Sequence, residues 1–253
     1  MRRSTQPRAC QRGYSLVEVS VAVVIAIFLL GGLFSILQTT RNTSTNQALL
    51  AQLQDNERIA MTLMQETMQS TGYYPNPLNV GLNVAFPAQA SPLTAMAAGQ
   101  ILAGDQTGAG GSDTIAVRFQ TESTGSVLGC FGTSDTPINT SHEYRFFLQA
   151  SVVNGVNTTS LVCTRDKGTA TEKTMALVDN VTGMTVAYGV DTTGTATSIN
   201  SYVNTVDMTA NDFLNVFSVS ITLTFANPLA GQPGQSTAPP IVFTRVINLM
   251  SRG

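Results

Sequence analysis

The hydrophobic pattern of this chain changes period once, and the change divides it into a helical and a stranded part. From Val19 to Leu37 the sequence is strongly apolar and carries no charged side chain. At 1.5 Å rise per residue, about 19 helical residues cross a hydrocarbon core of ~30 Å, so the run predicts a membrane-spanning helix. Farther on, Leu49, Leu50, Leu53, Ala60, Met61, Met64 and Met68 fall on one face at 100° per residue, with Gln54, Arg58, Thr62, Gln65 and Gln69 opposite. That stripe predicts that the helix continues with its methionines filling gaps against a sheet. Gly72, Pro75 and Pro77 end it, since proline cannot continue a helix. One helix is therefore expected from about Tyr14 to Thr71, with Gly31-Gly32 and the Thr/Asn-rich segment Thr39–Asn46 as its two candidate break points.

Residues 72–112 are rich in Pro, Gly, Ala and Asn. Their weak periodicity predicts a long surface loop with short elements at most. The pattern then takes period two. Ile115, Val117 and Phe119 alternate with polar partners, and Phe217, Val219, Ile221, Leu223 and Phe225 alternate with Ser218, Ser220, Thr222 and Thr224. Such alternation predicts antiparallel strands with one face on a core and the other in water. Further strands are expected at about Tyr144–Val153, Ser160–Thr164, Met175–Val178, Met184–Tyr188 and Ile241–Leu249, with a Gly/Pro-rich loop at Asn227–Pro240. A helix followed by a meander of strands gives an α+β class, the long N-terminal helix packed on an antiparallel sheet. The expected segments are a leader over 1–13, a membrane helix over 14–40, an amphipathic helix over 41–71 and a β-sheet domain over 72–253.

Charge changes the reading of the N-terminus. Arg2, Arg3, Arg8 and Arg12 precede the apolar run and predict that this end stays in the cytoplasm. The run is too long for a secretory signal and no small-residue cleavage site follows it. A plain anchor accounts for the run and the arginines but not for Glu18, because a carboxylate at the edge of a spanning segment is costly. Gly13-Tyr14-Ser15-Leu16-Val17-Glu18 resembles the prepilin junction of type IV pilins and pseudopilins, in which Tyr14 replaces the usual Phe. The resemblance implies that a membrane-embedded prepilin peptidase cuts between Gly13 and Tyr14 and methylates the new N-terminus at Tyr14. Glu18 then stands at the acidic position of the family, where the amino terminus of a neighbouring subunit is its natural partner for assembly.

Downstream, Ser112–Phe119, the Cys130…Cys163 pair, Val186–Asp191, Ser201–Val203 and Val216–Ile221 are similar, in their order along the chain, to the PilW branch of minor pilins. This implies a type IV pilin-like fold. It also implies a low-abundance subunit that joins other minor pilins, with a large adhesin as a further candidate partner, to prime or cap a pilus of major pilin. The associated activities are twitching motility, adhesion or DNA uptake. Such a subunit starts as a single-pass inner-membrane protein with its domain in the periplasm and ends at the pilus tip on the cell surface. Two alternatives stay open: a tip pseudopilin of type II secretion, and a membrane-anchored binding module or enzyme.

Composition narrows the chemistry. Without the leader, nine bases stand against 15 acids, a net charge of −6 with His142 neutral. An acidic, Thr/Ser/Asn-rich chain without a basic run is not expected to bind nucleic acid. Cys10 would leave with the leader. Two cysteines then remain, an even count that in an exported domain favours a Cys130–Cys163 disulfide over two buried free thiols. One histidine, His142, and two cysteines are too few for a closed zinc site, and no cofactor is expected. Asp191-Thr192-Thr193-Gly194-Thr195 resembles a decayed calcium loop without its repeated carboxylates, so a turn between strands is favoured. The N-x-S/T triplets at Asn42, Asn139, Asn157 and Asn180 are chance products of a Thr/Asn-rich surface. The glycines of Gly104–Gly111 precede a strand, which argues against a phosphate cradle. With one histidine and no G-x-S-x-G, no catalytic set can be assembled, and an enzyme is not expected.

Overall fold

The computed structural model describes residues 13, 15–122, 127, 129–132, 139–153, 155–193, 198–232 and 237–249. The chain divides into two compact units, 1–49 and 50–253.

Helix α1 (Leu16–Gln69) begins in the first unit and ends in the second. It passes both candidate break points without interruption. Local chemistry explains why: Thr39, Thr40 and Thr45 each donate a hydroxyl hydrogen bond to the carbonyl four residues back, at 3.0, 2.9 and 3.0 Å. Their polar demand is met inside the helix, so the polar segment does not break it.

In the second unit the predicted stripe is the core face. Leu53, Ala60, Met61, Met64 and Met68 are buried against strands, while Gln54, Arg58 and Thr62 stay in solvent. Nine strands follow: β1 (Leu102–Asp105), β2 (Thr114–Gln120), β3 (Ser141–Val153), β4 (Val156–Arg165), β5 (Lys173–Asp179), β6 (Val181–Val190), β7 (Ser201–Asn204), β8 (Val216–Phe225) and β9 (Ile241–Asn248). They form two antiparallel sheets, in order β1-β2-β3-β4-β5 and β7-β6-β8-β9. One hydrophobic core joins α1 with side chains of both, among them Phe119, Tyr144, Phe146, Tyr188, Val219 and Phe225. The architecture is the expected α+β class, with its strands shared between two sheets.

The chain changes sheets at Asn180, between β5 and β6. Its φ of 63° lies in the left-handed region that asparagine tolerates, and its carbonyl accepts from Ala226 at 2.9 Å. Asp113 then ties the sheets together: its amide donates to the Met184 carbonyl at 2.9 Å and its carboxylate accepts from the Val186 amide at 2.7 Å.

Strand β2 departs from the half-buried expectation, because every one of its residues is buried. The second face is covered by the segment expected to be a surface loop. Helix α2 (Leu82–Ala85), the Gln89–Met96 bridge and β1 structure that segment, and Phe86, Met96, Gln100, Ile101 and Leu102 are buried within it. Gly104 correspondingly lies within β1, and the remaining glycines up to Gly111 fall in the β1–β2 connection, which opens no helix longer than a 3-10 turn.

Candidate functional site

Helix α1 presents the first candidate region. Leu16, Val17, Val19, Phe28, Leu30, Phe34 and Leu37 are each at least half exposed. The helix contains an 18-residue window of mean hydropathy 2.7, with none of it buried. By length and composition this helix can cross a membrane. Glu18 lies in its first turn, where free backbone amides and the helix dipole favour a carboxylate. Around it, Val19 donates to the Ser15 carbonyl at 3.2 Å and Ser20 Oγ to the Leu16 carbonyl at 2.8 Å. The Glu18 side chain makes no hydrogen bond or ion pair among the described residues. Gly13 is exposed with open surroundings. Tyr14 and the leader arginines Arg2, Arg3, Arg8 and Arg12 lie outside the described residues.

The cysteines meet in the second unit. Cys130 and Cys163 are both buried and disulfide-linked, with Cα atoms 6.6 Å apart. Cys163 sits on β4 between Phe146 of β3 and Met175 of β5. The bond therefore anchors the 129–132 segment to an inner strand of the larger sheet.

The buried charges gather where segment 86–101 covers that sheet. Arg118 of β2 is 1% exposed. Its Nε donates to the Gln100 carbonyl at 2.6 Å. Its Nη1 reaches the Pro87 carbonyl at 2.6 Å and Gln89 Oε1 at 3.3 Å, and its Nη2 reaches the carbonyls of Ala97 at 2.8 Å and Phe86 at 3.3 Å. The Cζ atom lies 5.4 Å from the centre of the Phe86 ring. Burial lowers the guanidinium pKa to about 10, opposed by the charge of Glu143, and at neutral pH it remains a cation. Glu143 of β3 accepts from the Thr94 amide at 3.0 Å, Thr94 Oγ1 at 2.7 Å and Gln89 Nε2 at 2.6 Å. Its carboxyl is pushed above the usual range by burial, against these bonds and the charge of Arg145.

Beside it, Arg145 Nη2 pairs with Asp105 at 2.9 Å. Burial alone would raise the Asp105 pKa; hydrogen bonds from Thr107 and Thr114 and the Arg145 charge bring it below its ordinary value. His142 Nδ1 lies 2.7 Å from Asp166 Oδ2, both buried. Deeper in, Tyr188 is held well above the usual phenol range, first by burial and then by Asp113 and Asp105, with Thr205 opposing.

This arrangement clamps backbone. All five N–H bonds of Arg118 are taken by the segment above it, and Glu143 spends its oxygens on the same segment. Among the described residues no three His, Cys, Asp or Glu side chains converge as metal ligands. Asp191 is buried and closes a turn after β6, accepting from the Thr193 amide at 2.8 Å. Gly194 and Thr195 of the motif lie outside the described residues. Sequence reasoning missed the Arg118–Glu143 clamp. Its signal was a lone arginine between Val117 and Phe119, together with the absence of any Asp, Glu, Lys, Arg or His from Thr67 to Gly104.

Residues 145–245 match the family model of PilW, type IV pilus-assembly protein W. The matched region runs from β3 into β9; it includes Cys163, Val186–Asp191, Ser201–Val203 and Val216–Ile221 of the sequence resemblance, whereas Ser112–Phe119 and Cys130 lie outside it. No curated protein matches the chain.

Proposed function

Because residues 145–245 match the PilW family of type IV pilus-assembly proteins, we propose a minor pilin that is matured by prepilin peptidase and helps to initiate or cap the pilus. On this reading the peptidase cuts between Gly13 and Tyr14 and methylates Tyr14. The leader arginines keep the N-terminus cytoplasmic, and the second unit faces the periplasm until the subunit reaches the pilus tip. Its partners are other minor pilins, the major pilin and a tip adhesin.

Glu18 carries the proposal. An ionised side chain within an apolar surface gains nothing from lipid, and the helix offers it no partner among the described residues. On this reading the charge that meets it comes from a neighbouring subunit. The methylated amino terminus of a neighbouring helix supplies one, and pairing there sets the axial register between subunits. Glu18→Ala is therefore expected to leave leader removal and membrane insertion intact while abolishing incorporation into pili. Fractionation, peptide mass mapping and immunogold labelling of sheared pili check the three steps separately, and normal incorporation of the variant would overturn this role. The second unit is read as the selector of partners, because its buried charges are spent on internal clamps and no catalytic group is left open among the described residues.

A further inference from the structure

Four strands lie at sheet edges: β1, β5, β7 and β9. Natural edges are blunted by shortness, bulges, charge or proline, which keep another chain from pairing with their open backbone groups. Strands β1 and β7 have four residues each. Strand β5 begins at Lys173, ends at Asp179 and shifts register opposite Leu161/Val162. Strand β9 is neither short, bulged nor interrupted by proline, and its one charge, Arg245, lies on the inner face. It runs eight residues from Ile241 to Asn248 in unbroken register with β8 and contains no proline, lysine or acid. Every second residue of such an edge directs its amide and carbonyl away from the sheet, and among the described residues no backbone group pairs with that side.

The side chains along this edge define what fits it. On the outward face Val242 and Val246 are 57% and 54% exposed, with Thr244 and Asn248 exposed beside them. Their cross-strand neighbours on β8 are Thr224, Ser220, Thr222 and Ser218, and next on β6 come Gly183, Thr185, Ala187 and Gly189. No charged residue occurs in this row. On the opposite face Arg245 donates to Gln65 Oε1 of α1 at 3.2 Å and has no carboxylate partner among the described residues.

We propose that β9 is a strand-addition site for an extended segment of another type IV pilus subunit. The segment carries uncharged β-branched side chains on one face and a carboxylate opposite Arg245 on the other. A charge entering the outward row would find only threonine, valine and asparagine beside it and no charged partner. A carboxylate on the inner face would meet the unpaired guanidinium in the geometry that arginine favours. Backbone pairing supplies affinity, and the two faces supply selectivity. The source of the segment rests on the pilus-assembly reading; the chemistry of the edge does not.

The test uses the full chain in detergent and two probes. The first is the synthetic heptapeptide Thr-Val-Thr-Glu-Thr-Val-Thr, and the second is the set of pilus subunits encoded in the same genome, coexpressed. Hydrogen exchange is expected to show new protection confined to 241–248 with either probe. Methylating alternate peptide nitrogens is expected to abolish it in one of the two registers, as is replacing the peptide's Glu by Lys. Because Val246 is exposed, Val246→Lys should leave folding unchanged and weaken both probes about tenfold or more, whereas Met175→Lys on β5 should have no effect. Protection elsewhere, no protection by the peptide, or undiminished binding by Val246→Lys would overturn the site. Pairing of β9 with a second copy of this chain would overturn the occupant. Failure of the wild-type chain to capture any pilus subunit while the peptide binds at β9 would overturn the pilus-assembly source and leave the edge chemistry standing.

Discussion

At the scale of single residues, the second unit depends on charges placed where the hydrophobic pattern left no room for them. Arg118 stands in a strand buried on both faces and holds segment 86–101 by its backbone carbonyls. Removing it strands those carbonyls without a donor, while Glu143 keeps the Arg145 charge and its bonds from Thr94 and Gln89. Arg118→Met should therefore destabilise the protein by about 3–5 kcal/mol, and Arg118→Lys should recover only part of this, since an ammonium cannot reproduce the planar fork. Urea unfolding measures the loss, and limited proteolysis should cut first within 86–101. Asp105 makes a pH-dependent contribution. Its folded pKa lies below the ordinary 3.8, so folding favours its ionised form. That stability is present above 3.8 and is lost as pH falls through the lower folded value. Asp105→Asn should accordingly be less stable than wild type at pH 7, with the gap closing below pH 3.8. A gap independent of pH would show that Asp105 acts by shape alone.

At the scale of elements, the disulfide joins a connection to an inner strand of the larger sheet. Closing 33 residues of separation contributes about 3–4 kcal/mol in the chain-entropy treatment. Reduction, or a paired Cys130→Ala and Cys163→Ala change, should lower the urea midpoint correspondingly, and an unchanged midpoint would show that sheet packing alone defines the fold. The contrast between β8 and β2 explains how much was legible in the sequence. β8 alternates along its length, so its period alone fixes both its type and its buried face. The stripe from Leu53 to Met68 is legible for the same reason. β2 reads as half-buried because its cover comes from residues whose own pattern is loop-like, and its buried arginine looks like a solvent position. β1 and β7 are too short for a period to show. The division into two sheets turns on one left-handed residue, Asn180, which composition does not mark. In the candidate site the apolar stretch of α1 was legible because its residues are contiguous. The clamp was not, because Gln89, Thr94, Arg118 and Glu143 meet only through tertiary packing.

At the scale of the whole molecule, two units carry separable demands. The first exposes the apolar surface of α1 and the carboxylate of Glu18, whereas the most N-terminal buried helix residue of the core is Leu53. A chain begun near Asn42 therefore keeps every buried side chain while losing Val19–Leu37. It should be soluble, unfold in one transition and melt within about 2–4 °C of the second unit in the full protein, since less than about 1 kcal/mol of packing is removed. A larger drop would show that the membrane segment supports the core. If partner choice resides in the second unit and insertion in the first, the shortened chain retains the one without the other. It should copurify with specific pilus subunits, with no stable oligomer of its own, and should never enter a filament. Supplied in excess to the periplasm of a wild-type cell, it then occupies partner surfaces that the full subunit needs. Surface pili should decrease with its dose, and the same dose of a shortened chain carrying Val246→Lys should decrease them less. Equal inhibition by the two would show that the partner is chosen by a surface other than β9, while no inhibition by either would show that α1 itself does the choosing.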